Sequence, residues 1–179
     1  MKPRPADQEI LACAAQVRLL ALDVDGVLTD GALYFSNSGE EMKTFSTLDG
    51  QGIKLLQDSG VIVALITART SQLVSRRAAN LGITHLIQGS DNKLQALTGL
   101  LQHLQLELGQ TAYVGDDLPD LACIRRVALG IAVANAHDAV KKAAFFTTVS
   151  GGGKGAVREV CDWIMKAQGT YDAAVNRFR

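Results

Sequence analysis

Neither sign of charge prevails in this chain: lysine plus arginine number 18, and so do aspartate plus glutamate. Without a net positive field there is no general attraction for nucleic acid or an anionic membrane, so any anion must be held by local groups. Cysteine is scarce and odd in number. Cys13, Cys123 and Cys161 share no metal-ligand spacing, which points to reduced core thiols in a soluble, cytoplasmic protein. No uninterrupted apolar stretch is long enough to cross a bilayer. Ile10-Leu11-Ala12-Cys13 superficially matches a lipoprotein cleavage site. Met1 to Glu9 is short, charged and interrupted by proline, however, with no apolar segment ahead of the cysteine, so an export reading fails. Sequence repeats and low-complexity tracts are absent as well. What remains is a chain of 179 residues with 47% hydrophobic content. That suits a single domain over residues 1–179 with a well-buried sheet and helices on both faces, and leaves no room for a second.

The pattern alternates. An apolar run, Val17 to Leu22, reads as a buried strand. Segments near 32–36 and 41–45 flank the turn-forming Ser36-Asn37-Ser38-Gly39 and read as a projecting hairpin, about 32–46. From Asp49 onward helices are expected near 50–59, 71–81, 91–107, 118–126, after His137 and near 155–167. Strands are expected at 61–66, around 85–87, and at 111–114, 129–133 and 145–149. Strands separated by helices imply an α/β fold, a Rossmann-like three-layer sandwich with a mainly parallel sheet. Gly151-Gly152-Gly153-Lys154-Gly155 lacks the spacing and the Ser/Thr of a Walker loop and reads as a mobile connector. The polar tail, about 168–179, is read as frayed or docked on a neighbour.

The chemistry gathers at strand ends. Asp23-Val24-Asp25 closes the first strand, and two acids so close demand either a cation or a shared proton; the plainer alternative is an Asp-Gly turn whose acids are solvated. The strand at 61–66 ends in Thr67-Ala68-Arg69, a hydroxyl and a guanidinium. The strand at 111–114 ends in Gly115-Asp116-Asp117-Leu118-Pro119-Asp120; Asp117 and Asp120 also suit a helix start, where acids complement the macrodipole. Lys93 opens a helix, a position that disfavours a cation unless a negative partner compensates it.

In this order, DVDGVLTD, ITAR, a lysine opening a helix and GDDLPD resemble the four motifs of the haloacid dehalogenase-like phosphatases, through nearly the whole chain. The short insert, the segment from Phe45 to Ile53 and the stretch Gly151 to Glu159 are similar to the branch acting on 3-deoxy-D-manno-octulosonate 8-phosphate, a sugar acid of the lipopolysaccharide inner core. The resemblance implies an Mg²⁺-dependent phosphatase without a cap domain. Asp23 is then the nucleophile that forms an aspartyl-phosphate, and Asp25 the acid and base. Thr67 and Lys93 hold the phosphoryl oxygens. Mg²⁺ is ligated by Asp23, the Asp25 main-chain carbonyl and Asp116, with Asp117 as outer support. Substrate contacts fall on Asp25, Ser46, Thr47, Leu48, Asp49, Gly50, Lys54, Arg69, Arg77 and Lys93. Leu48 stands where some relatives carry arginine, and Arg77 also reads as a solvated helix arginine. A homotetramer is implied, with hairpin and tail near neighbouring sites.

Three other readings stay open from the residues: a phosphatase of a nonulosonic sugar phosphate, a phosphotransferase passing the covalent intermediate to an alcohol, and a non-catalytic oligomeric binding protein. The last has no use for both a nucleophile and its proton donor.

Overall fold

The computed structural model describes residues 5–178; Met1–Arg4 and Arg179 lie outside the described residues. Helix α1 (Pro5–Ala15) precedes β1 (Leu19–Leu22), and the hairpin strands β2 (Tyr34–Phe35) and β3 (Glu41–Met42) follow. Next come α2 (Thr47–Asp58), β4 (Ile62–Ile66), α3 (Gln72–Leu81), β5 (His85–Ile87) and α4 (Lys93–Leu104). The chain continues through β6 (Thr111–Gly115), α5 (Leu121–Ile124), β7 (Leu129–Ala132), α6 (Asp138–Ala143) and β8 (Phe146–Thr147), and closes with α7 (Ala156–Ala167) and α8 (Tyr171–Asn176).

Six strands form one sheet in the order β5-β4-β1-β6-β7-β8, and every pairing is parallel. All four residues of β1 are buried, as expected of a central strand covered on both faces, and its Leu-Leu-Ala-Leu run carries no alternation for that reason. Helices α1, α2 and α7 pack together on one side, and α4, α5 and α6 on the other. Successive strands run outward from β1 through β4 to β5, then resume on its opposite flank at β6. The crevice between the carboxyl ends of β1 and β6 is therefore a topological switch point, where open α/β sheets bind ligands.

Four departures from the sequence expectations have physical causes. Helix α1 has no counterpart among them, because its sequence carries only a weak helical periodicity. The helix expected to 107 stops at Leu104, where Gln105 turns left-handed at φ 55°. The region near 118–126 divides into a 3₁₀ turn over Leu118–Asp120 and the short α5. The glycine stretch is no mobile connector: Gly152 N–H donates to Asn135 Oδ1 at 2.8 Å, Gly153 N–H donates to the Val27 carbonyl at 2.9 Å, and Gly152 is buried. A Cβ on Gly152 would stand 1.7 Å from the Gly26 carbonyl oxygen. The missing side chain thus permits backbone contact with the loop after β1, a close approach that glycine alone allows.

The tail also takes a definite place on its own chain. Ala174 is buried, and Arg177 Nη1 lies 2.7 Å from Asp58 Oδ2 at the end of α2. Because α2 starts beside the carboxyl rim of the sheet and ends at the opposite rim, about 18 Å along its axis, the tail docks away from the switch point. The cysteines are free, with Cys123 and Cys161 in the core. Among the described residues no helix is long and apolar enough to cross a membrane.

Candidate active site

Asp23 sits immediately past β1, and its N–H extends the β1–β6 pairing by donating to the Val114 carbonyl at 3.0 Å. The chain then folds back tightly. Val27, Leu28 and Thr29 N–H groups all donate to the Val24 carbonyl, and Thr29 Oγ1 accepts from Gly26 and Gly31 N–H at 3.2 Å each. Gly26 adopts φ +97°, and a Cβ there would lie 2.0 Å from Asp116 Oδ2. The Asp-Gly turn therefore does more than solvate two acids: it brings the ends of β1 and β6 so close that only glycine fits between them.

Asp23, Asp25, Thr67, Arg69, Lys93, Asp116 and Asp117, together with Asp120, line one pocket of about 330 Å³. These residues come from the ends of β1, β4 and β6 and from the start of α4. A larger groove of about 500 Å³ between α1 and α7, lined by Ile10, Leu11, Phe146 and Trp163, offers no strand-end carboxylates, so the chemistry belongs to the smaller pocket.

Lys93 resolves the conflict between its charge and the helix dipole by pairing. Its Nζ lies 2.9 Å from Asp23 Oδ1 and 2.8 Å from Asp120 Oδ1, with the side chain 4% exposed. Burial alone would lower its pKa; the charges of Asp23 and Asp120 outweigh burial and raise it, so it remains an ammonium. Asp120 is wholly buried and fully engaged. Oδ1 also accepts from Tyr113 Oη at 2.8 Å, and Oδ2 accepts from the Asp116 and Asp117 N–H groups at 3.0 and 3.2 Å. It both shapes the turn after β6, as a capping acid does, and holds Lys93.

The remaining acids are poised for a cation. Carboxylate oxygens of Asp23, Asp116 and Asp120 lie within 4.8 Å of one another. Burial, and then the charge of Asp120, raise Asp23 to about 6 against the pull of Lys93. Burial and the charges of Asp23 and Asp120 lift Asp116 to about 8. Asp116 Oδ1 is buried with no hydrogen-bond partner among the described residues. An orphaned carboxylate oxygen beside two further acids fits a hard divalent cation that takes oxygen ligands. Asp120 has no free lone pair in a good direction, so Asp23 and Asp116 are the side chains left to bind it.

Asp25 points toward the hairpin. Its Oδ1 pairs with Lys43, and its Oδ2 lies 3.8 Å from Arg69 Nε. Thr67 is buried, and its Oγ1 accepts from the Arg69 N–H at 3.3 Å, which leaves the hydroxyl hydrogen for an anion in the pocket.

The other sequence-derived candidates fall elsewhere. Ser46 is the N-cap of α2, accepting from the Asp49 N–H at 3.3 Å. Asp49 is 1% exposed, and its two oxygens accept from the Arg158 and Gly155 N–H groups at 2.8 and 3.4 Å, tying α2 to the start of α7. Arg77 donates from Nη2 to the Ser46 carbonyl at 2.9 Å and lies 5.6 Å over the Phe45 ring. It closes over Gly50, where a Cβ would meet Arg77 Nη2 at 2.4 Å. Thr47, Leu48 and Lys54 are exposed on α2. None of Ser46–Gly50, Lys54 or Arg77 lines the pocket of the same chain. Three residues that shape the site escaped the sequence reading, Tyr113 and the hairpin's Glu41 and Lys43, as did the anchoring role of Asp120. An acid three residues past Asp117 and a lone lysine after a turn were the only signals available.

Residues 82–159 match the family model described as haloacid dehalogenase-like hydrolase. The chain is 49% identical to the 3-deoxy-D-manno-octulosonate 8-phosphate phosphatase of Escherichia coli K12 over 170 residues, 95% of this chain and 90% of that one. It superposes with TM-score 0.95 on the crystal structure of a 3-deoxy-D-manno-octulosonate 8-phosphate phosphatase from Moraxella catarrhalis in complex with magnesium ion, phosphate ion and a KDO molecule, at 46% identity, covering 96% of this chain and 99% of that one. A probable YrbI family phosphatase from Pseudomonas syringae matches at TM-score 0.94 and 53% identity, with 96% and 97% covered.

Proposed function

The chain belongs to the haloacid dehalogenase-like hydrolases, within the 3-deoxy-D-manno-octulosonate 8-phosphate phosphatases, and on that premise we propose how its residues perform the reaction. It is an Mg²⁺-dependent phosphoric monoester hydrolase that releases phosphate from the 8-phosphate of this sugar acid. The observation that supports the site assignment is the convergence of Asp23, Asp25, Thr67, Lys93 and Asp116 in one pocket at the switch point of the sheet.

Asp23 attacks phosphorus and forms an aspartyl-phosphate, replacing one difficult hydrolysis with two displacements. Lys93 holds Oδ1 of Asp23 and so limits the rotation of the nucleophile; its charge also offsets the negative charge of the incoming phosphoryl group. The Thr67 hydroxyl donates to a phosphoryl oxygen. Asp25 gives a proton to the leaving sugar oxygen and later takes one from the attacking water. Mg²⁺, held by Asp23, Asp116 and the Asp25 main-chain carbonyl, supplies Lewis-acid stabilisation of phosphoryl charge when bound. Arg69, at the pocket edge, suits the sugar carboxylate.

A single capless domain leaves this site open to water unless another element covers it. Leu33, Tyr34, Phe35, Met42 and Leu48 present large exposed apolar side chains on and beside the hairpin, the kind of surface that marks association. In a cytoplasmic homotetramer, Ser46, Thr47, Leu48, Lys54 and Arg77 serve substrate binding where copies meet, whereas Asp49 and Gly50, buried in their own chain, contribute through the packing of α2. Phosphate release from a panel of eight- and nine-carbon sugar acid phosphates with Mg²⁺, for wild type and Asp23→Asn, tests the whole reading. The 3-deoxy-octulosonate 8-phosphate is the preferred substrate, and the variant keeps its fold but loses turnover. Preference for a nine-carbon acid would reassign the substrate, and undiminished turnover in Asp23→Asn would remove the nucleophile.

A further inference from the structure

The hairpin contributes a group that neither the motifs nor the family assignment accounts for. Lys43 follows β3 in a projecting element, yet its side chain is 1% exposed. Its ammonium pairs with Asp25 Oδ1 and lies 3.3 Å from Glu41 Oε1. Glu41 Oε1 accepts in turn from Arg69 Nη2 at 2.9 Å, and Arg69 Nε stands 3.8 Å from Asp25 Oδ2. Two cations and two anions thus alternate around a closed ring drawn from the nucleophile loop, the hairpin and the end of β4. A buried ammonium is costly unless paired, and this one is placed where its pairing falls on Asp25.

We propose that Lys43 is a positioning residue for Asp25, an inference that rests on the acid–base role given to Asp25 above. A carboxylate three residues beyond a strand end can rotate among several rotamers; an ammonium on Oδ1 removes that freedom. Oδ2 is buried and has no hydrogen-bond partner among the described residues, so it is the oxygen left to exchange a proton. In the first displacement the proton passes from Oδ2 to the leaving sugar oxygen as its bond to phosphorus breaks and the Asp23–phosphorus bond forms. In the second, Oδ2 takes a proton from water as water displaces Asp23 from phosphorus. Because Glu41 and Arg69 close the ring, Lys43 orients Asp25 without leaving unbalanced charge at the mouth of the pocket.

The test compares a sugar phosphate, whose alkoxide must be protonated to leave, with p-nitrophenyl phosphate, whose phenolate leaves without help. General acid catalysis is worth roughly 10²–10⁴-fold. Asp25→Asn is therefore expected to lower kcat/KM, which reports the first displacement alone, far more for 3-deoxy-octulosonate 8-phosphate than for the aryl ester; the second displacement is common to both. Lys43→Met should lower kcat/KM on the sugar phosphate by about 10-fold or more, part of that range, while kcat/KM on the aryl ester stays within about threefold. In the Asp25→Asn background, Lys43→Met adds no further loss, because the two act as one unit. Equal losses of kcat/KM on both substrates would give Lys43 a structural or anion-binding role and overturn the proposal. An Asp25→Asn variant whose kcat/KM falls alike on both substrates would instead refute the acid–base reading itself. Lys43→Gln is the second variant and must show the same split. If melting curves show no folded transition for either variant, Lys43 is a folding residue and the proposal fails.

Discussion

Binding of Mg²⁺ to this pocket must displace protons, and the extent follows from two carboxylates. Asp23 titrates at about 6 and Asp116 at about 8 in the metal-free protein, both raised first by burial, and a cation requires both ionised. At pH 7 about nine-tenths of Asp23 and about one-tenth of Asp116 carry charge, so binding releases about one proton per ion. From pH 8 to pH 6 the doubly ionised fraction falls from about one-half to about one in two hundred, an apparent loss of affinity of about 100-fold. Isothermal titration calorimetry at those pH values, in buffers of differing ionisation enthalpy, reads the affinity and the proton count together. Stability moves with the same protons. The folded values lie above the ordinary 3.8, so the metal-free fold binds more protons than the unfolded chain. Its stability is therefore greatest on the acid side and declines as pH rises through about 6 and about 8. Mg²⁺ offsets that decline, and the thermal shift it produces is larger at pH 8 than at pH 6. An affinity that stays level across this range, with no proton released, would refute the account of how Asp23 and Asp116 are held.

Gly152→Ala drives a Cβ to 1.7 Å from one backbone atom of Gly26 and 2.5 Å from another, contacts that no rotamer change relieves. Overpacking costs typically about 1–3 kcal/mol, and this case belongs at or above the top of that range, a fall of about 5 °C or more in Tm. Gly99→Ala on α4 meets nothing within 4 Å and should raise Tm slightly, by the helix gain of roughly 0.5–1 kcal/mol. Tyr113→Phe removes the hydroxyl that donates to Asp120 Oδ1 at 2.8 Å. Lys93 still occupies that oxygen, so the loss belongs at the lower end of the ~1.5–3 kcal/mol assigned to hydrogen bonds with charged groups, measured by chemical denaturation.

Residues whose chemistry conflicts with their local setting were legible in the sequence. Paired acids at a strand end and a cation opening a helix both required partners, and Asp23, Asp116 and Lys93 lie together at the switch point. The α/β alternation was equally clear, because buried parallel strands and amphipathic helices leave different periodicities. What stayed hidden depends on contacts between distant segments. Asp49 looks like any acid in a first helical turn, yet it holds the start of α7 across more than a hundred residues of sequence. Tyr113 reads as a core aromatic because its hydroxyl partner is set by a turn further along. A glycine cluster signals either freedom or close approach, and Gly152 shows the second. Lys43 is indistinguishable from a solvated lysine until the hairpin folds down over Asp25.

Gly152 and Gly153 brace the loop that carries the nucleophile, although more than a hundred residues separate the two segments in the chain. A ribosome therefore makes the reactive aspartate well before its backstop. Until that later segment emerges, the turn after Asp23 has only its own local hydrogen bonds to hold it.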